Sequence, residues 1–93
     1  MRKVFWTQIA VSNFDDNIQY LKVEWNDSVV FKFISKTSSV IEILKRNPIA
    51  GAWDNEIGCN KILVTKHIYL FYELKDNNIY LLKFWNNHQK PFW

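Results

Sequence analysis

The chain has 93 residues, of which 48% are hydrophobic and 17% aromatic, with only two Gly, two Pro and a net charge of +3. That composition excludes disordered and collagen-like classes, and no apolar run approaches the roughly 18 residues of a bilayer span. One domain covering residues 1–93 is expected, with a core that must be efficient because so short a chain buries only about 60–65% of its unfolded surface.

Lys3-Val4-Phe5-Trp6 predicts a short first strand. Thr7 can cap a helix, its hydroxyl accepting from the freed N–H groups of the first turn. Ala10, Phe14, Ile18, Leu21 and Trp25 follow at helical spacing, with Asp15, Asp16, Asn17, Gln19 and Lys22 on the other side. Asn26-Asp27-Ser28 breaks that helix and can cap a second, whose stripe is Val30, Phe33, Ile34, Val40, Ile41 and Leu44 around Thr37. Asn47-Pro48 ends it, since the residue before proline is pushed out of the helical region. So short a break predicts an antiparallel helix hairpin.

Ile49 to Gly58 reads as irregular, with a short strand around Trp53 and with Gly51 and Gly58 expected at positive φ. From Asn60 onward, three runs dense in Ile, Val, Tyr and Phe are divided by Lys66-His67 and Asp76-Asn77-Asn78. Runs of this kind bounded by turn residues predict an antiparallel meander. Helices followed by strands indicate an α+β fold: an N-terminal strand, an antiparallel helix hairpin, then a three- to four-stranded antiparallel meander. Residues 1–58 balance seven basic against seven acidic side chains, whereas residues 59–93 set five lysines against Glu73 and Asp76. The net charge therefore lies on the predicted sheet and tail, which suits an anionic partner, nucleic acid or an acidic protein segment, and equally a merely solubilising role.

The order of these elements, with several of their residues, resembles the RelE/ParE superfamily of bacterial type II toxins, the plasmid-stabilisation proteins. The likeness runs through Val4 to Ala10, Ile18-Gln-Tyr-Leu21, Trp25 at the opening of the second helix, and the Leu44-Lys-Arg-Asn-Pro48 exit. It continues through Lys61-Ile-Leu-Val, Lys66, Ile68-Tyr-Leu-Phe-Tyr72 and Phe84-Trp-Asn-Asn-His-Gln-Lys-Pro91, which is similar to the family's closing strand and Asp-x-Arg-x-x-Pro tail. The chain departs from the family at Asn60, where arginine is common, and at Asn86 and His88, which stand at the Asp and Arg of the tail. The resemblance implies a growth-inhibiting toxin neutralised by a cognate antitoxin that wraps it with an extended, often acidic segment. Its implied targets are DNA gyrase or ribosome-bound mRNA. The missing arginines favour a ParE-like, gyrase-inhibiting binder. The alternatives are a RelE-like, metal-independent mRNA endonuclease and an inactive relative that still pairs with an antitoxin.

Cleaving RNA through its own 2′-hydroxyl needs a base, an acid and cations that stabilise the phosphorane. His88 is the candidate acid or base, since an unperturbed imidazole titrates near neutrality. Lys61 and Lys83 are candidate phosphate clamps, as point charges rather than arginine forks. Lys66, Trp85, Lys90, Phe92 and Trp93 are candidate contacts to a nucleic acid or other target, the aromatic rings by stacking. The plainer reading makes His88 a solvated residue, the lysines a strand's solvent face, and Trp6, Trp25, Trp53 and Trp85 core or interface packing residues. No cofactor or metal is expected, because two histidines and one cysteine at these separations match no ligand spacing. Cys59 cannot form an internal disulfide and reads as a small buried hydrophobe. With no signal-peptide pattern at Met-Arg-Lys, a cytoplasmic location and no membrane partner are expected.

Overall fold

The computed structural model of the chain describes residues 2–87. Its elements are β1 (Val4–Trp6), α1 (Gln8–Glu24), α2 (Asp27–Arg46), β2 (Ala52–Asp54), β3 (Cys59–Thr65), β4 (Ile68–Lys75) and β5 (Asn78–Asn86). The five strands form one mixed sheet in the order β1-β5-β4-β3-β2. The expected meander is β3-β4-β5, and β2 extends it antiparallel at one edge. β1 pairs parallel to β5 at the other edge, bringing the first and last strands of the described chain side by side. No described helix is long and apolar enough to cross a membrane.

Both helices begin as the sequence predicts. Thr7 Oγ1 accepts from Ala10 N at 3.2 Å and donates to Leu81 O at 2.7 Å, so one hydroxyl caps α1 and ties it to β5. Asn26 Oδ1 accepts from Val29 N at 3.0 Å and starts α2. Val30, Phe33, Thr37, Val40 and Leu44 are buried along α2, with the Thr37 hydroxyl satisfied by donation to Phe33 O at 2.8 Å. The α1 stripe is shorter than expected. Trp25 is the C-cap of α1, not the opening of α2, and is 62% exposed, because the helix ends before its side chain can reach the core. Asn17, expected on the wet side, is 2% exposed, and its Nδ2 donates to Asn13 O at 2.9 Å.

The core lies between the hairpin and one sheet face. Phe14, Phe33 and Phe84 meet with ring centroids 5.2–6.1 Å apart, and Trp6 joins them from β1 at 5.2 Å from Phe14. Four elements thus share one aromatic cluster, beside Leu70, Tyr72, Ile79 and Leu81. The β4–β5 turn holds Asp76 and Asn77 at φ of 53° and 62°, the two positive values that a tight two-residue hairpin requires. Gly58 sits at φ 71°, as expected. Gly51 does not have positive φ. A Cβ there would lie 2.5 Å from both Lys61 O and Tyr72 Oη, so close approach of backbones, and not a left-handed turn, demands this glycine.

Candidate functional site: the open face of the sheet

Strand register decides which side chains share a face. Lys61 opposes Phe71, and Phe71 opposes Lys83, so the three form one row across β3, β4 and β5. Leu63, Tyr69 and Trp85 form the next row on the same face. Ile62, Leu70 and Phe84 lie on the other face, against the helices. Two of the three candidate catalytic residues, Lys61 and Lys83, are therefore brought to one surface, two strand spacings or about 9–10 Å apart.

A β-bulge makes this possible. Tyr72 opposes Leu81 but Phe71 opposes Lys83, so Leu82 is the extra residue of β5. Before it, Tyr80 faces out and Leu81 in; beyond it the alternation is reset, so Lys83 and Trp85 face out while Phe84 and Asn86 are buried. Without the bulge Lys83 would point into the core.

Neither lysine projects alone into solvent. Lys61 Nζ is 2.9 Å from Asp54 Oδ2 on the edge strand and 5.2 Å from the centre of the Tyr69 ring. Lys83 Nζ lies 4.8 Å from the centre of the Trp85 ring. The hydrogen bond to Asp54, with its charge, holds the Lys61 ammonium above the usual lysine value. Reciprocally, Lys61 and then the N–H of Glu56 hold the Asp54 carboxyl below the usual carboxylate range. Asp54 Oδ1 also accepts from Glu56 N at 2.9 Å and Ile57 N at 3.3 Å, which fixes it at the start of the β2–β3 loop.

Behind this pair, Tyr72 anchors β2. Its buried hydroxyl accepts from Gly51 N at 3.1 Å and donates to Pro48 O at 2.8 Å, and burial pushes the phenol up. Cys59 is buried, as expected, and desolvation, then the charges of Asp54 and Glu73, push its thiol up and away from reactivity. At the far end of the same face, Phe5 stacks on Tyr80 at 5.2 Å.

Lys66 is not on this face. It sits in the β3–β4 turn, on the rim of a concavity on the helix side of the sheet. Trp85 is on the open face, its Nε1 donating to Asn87 Oδ1 at 2.9 Å. His88, Lys90, Phe92 and Trp93 lie outside the described residues. Trp53 is 60% exposed on the edge strand, so it is not a core residue; its Nε1 donates to Asn55 Oδ1 at 2.7 Å. Asp54 and Tyr72 were not among the sequence candidates. The Asp54-Asn55-Glu56-Ile57-Gly58 turn signal beside Lys61 could have placed Asp54; nothing local identifies Tyr72, whose partners lie 21 and 24 residues away. Among the described residues no group of His, Cys, Asp or Glu is arranged to hold a metal.

No protein-family model and no curated protein sequence matches the chain. Solved structures do. The chain is similar to a YoeB/ParE toxin from Agrobacterium tumefaciens, with a TM-score of 0.63 and 14% identity over 90% of this chain and 96% of that one. It is similar to the YoeB–YefM complex from Staphylococcus aureus, with a TM-score of 0.59 and 13% identity over 90% and 94%. The YoeB dimer from Staphylococcus aureus gives a TM-score of 0.58 and 13% identity over 88% and 92%. The fold is that of the YoeB/ParE toxins, the one the sequence resemblance implied.

Proposed function

We propose that residues 1–93 form a single toxin domain of a type II toxin–antitoxin pair, acting by binding its target through the open sheet face, with DNA gyrase as the preferred target. The observation that carries the toxin reading is the shared fold across nearly the whole of both chains. One of those neighbours was solved as a YoeB–YefM complex, a precedent for a bound protein partner.

The binding mode is favoured by the charges on the open face. A phosphorane needs cations free to follow the charge that develops on it. Here Lys61 is matched by Asp54, and the chain's two arginines, Arg2 and Arg46, lie on neither candidate row. An aromatic and cationic surface of Tyr69, Phe71, Lys83 and Trp85 is suited to a protein or nucleic-acid face, since Tyr, Trp and cations dominate such contacts.

The test expresses the chain in bacteria with and without the adjacent small open reading frame. It then assays the pure protein on gyrase supercoiling and on message cleavage by programmed ribosomes. Growth arrest relieved by the neighbouring product, inhibited supercoiling and intact message are expected. Message cleavage by the wild type that is lost in His88→Ala would replace this reading with an mRNA endonuclease. A folded protein that pairs with its neighbour but arrests nothing would be an inactive relative.

A further inference from the structure

The bulge that turns Lys83 and Trp85 outward lies where β1 stops. β1 runs beside β5 only as far as Trp6, which opposes Leu81. The next residue, Thr7, meets the bulge itself. Its N–H donates to Leu81 O at 3.2 Å. Its hydroxyl donates to the same oxygen at 2.7 Å and lies 3.4 Å from Leu82 O. In a regular strand successive carbonyls point to opposite neighbours. Here two in succession converge on one side chain, at the point where β5 carries one residue more than β4.

Two carbonyl dipoles aimed at one point repel, and a shielded C=O left without a donor is costly. The Thr7 hydroxyl places a proton at that point. The same oxygen accepts from Ala10 N at 3.2 Å and caps α1. As an acceptor it starts the helix, and as a donor it holds the bulge. The two roles are chemically separable, because a carboxylate accepts hydrogen bonds but has no proton to give.

We infer that Thr7 is a positioning residue of the open face: by donating to the Leu81 and Leu82 carbonyls it holds the bulge in β5, and with it the outward orientation of Lys83 and Trp85. It acts through the β5 backbone, not by meeting the target. That this orientation serves target binding rests on the reading of the open face given above. Lys83 Nζ stands 4.8 Å from the centre of the Trp85 ring, which requires both side chains on one face. A bulge that migrates past Lys83 turns that side chain toward the helices and breaks the contact.

The test compares the wild type with Thr7→Ser, Thr7→Asp and Thr7→Val, by proton resonances and by inhibition of gyrase supercoiling. Serine keeps both acceptor and donor. Aspartate keeps the acceptor for Ala10 N and loses the donor. Valine keeps the shape and loses both. In the wild type the ring current of Trp85 should move the Lys83 ε-methylene protons upfield of ordinary lysine. Thr7→Ser is expected to keep that shift and the wild-type inhibition. Thr7→Asp is expected to keep the helical resonances of the first turn of α1, yet to lose the Lys83 shift and inhibit about tenfold less. Thr7→Val should lose the shift and fray that turn as well; should it fail to fold, the other two variants decide the question. A Lys83 shift that persists in Thr7→Asp would overturn the inference, because the hydroxyl would then serve α1 alone. Loss of the shift in Thr7→Ser would overturn it too. So would a lost shift in Thr7→Asp with inhibition unchanged, since the face would then bind without this orientation. A wild type that inhibits no supercoiling would end the gyrase reading, and the Lys83 resonances would still decide whether Thr7 holds the bulge.

Discussion

On the open sheet face, Lys61 is held by Asp54 at 2.9 Å and Lys83 lies against the Trp85 ring. In the helix-side groove, Lys32, Lys36 and Lys66 edge an apolar floor with no carboxylate among the lining residues. The same side chain thus gives two electrostatic surfaces. Where β2 supplies a carboxylate, the positive charge is matched and its side chain oriented. Where two helices and a turn supply only lysines and apolar groups, the charge remains directed at whatever enters. Counting lysines by position along the chain therefore misjudges both regions. The segment with all the net charge carries one already neutralised, and the balanced N-terminal segment supplies two of the groove's lysines.

The largest change should come where the two regions share a foundation. Phe33 lines the groove and also packs its ring on Phe14 and Phe84, beneath the strand that carries Lys83. Phe33→Ala is expected to lower stability by about 3–5 kcal/mol in urea unfolding, from lost burial plus the cavity left behind. A cost near zero would mean that the groove and the sheet are not supported by one core.

Two smaller substitutions separate the regions. In Gly51→Ala the added methyl would meet Lys61 O and Tyr72 Oη at 2.5 Å. It is expected to cost about 1–3 kcal/mol by forcing the backbone apart. It should also displace β2, so that the Asp54 carboxyl titrates closer to its ordinary value, while amide resonances around Lys32 and Lys36 stay in place. Tyr72→Phe keeps the ring but leaves Gly51 N–H and Pro48 C=O without their partner, at a cost of about 1–2 kcal/mol. If Asp54 titrates unchanged in both variants, the edge strand is not what positions it.

These anchors also mark how far the sequence could be read. Helix caps and stripes are local, so Thr7, Asn26 and the Val30-to-Leu44 face follow from spacing alone, apart from Ile34, which is exposed at the edge of that stripe, as does the Asp76-Asn77 turn. The α1 stripe failed at its last member because periodicity continues to Trp25 after the backbone has left the helix. The sheet was legible as three runs with polar breaks, but the faces of β5 were not. Period-two counting from Ile79 assigns Lys83 to the core, and only the extra residue Leu82 reverses this. Adjacent apolar residues Leu81-Leu82 were the available sign that the alternation slips. Gly51 and Tyr72 act through contacts that exist only once distant segments meet, so no local pattern encodes them.

The smallest expected effect on stability is the most direct on function. Asp54→Asn removes the carboxylate but keeps the side chain's shape and the acceptor for Glu56 N and Ile57 N. The Asp54 carboxyl is held below its ordinary 3.8. The stability it contributes is therefore present above that value and is lost as pH falls through its lower folded pKa. Lys61 is held above its ordinary 10.5, so its share is present below 10.5 and is lost as pH rises through its higher folded pKa. The wild type should show a small acid-side loss of stability below about pH 4 that Asp54→Asn lacks, and added salt should shrink the difference because the pair is open to solvent. On the sheet face the consequence runs the other way: with Lys61 released, binding of a polyanion should strengthen and become more salt-dependent. Unchanged polyanion binding in Asp54→Asn would show that the ion pair does not set the charge this face presents, and the contrast between the two surfaces would then rest on shape alone.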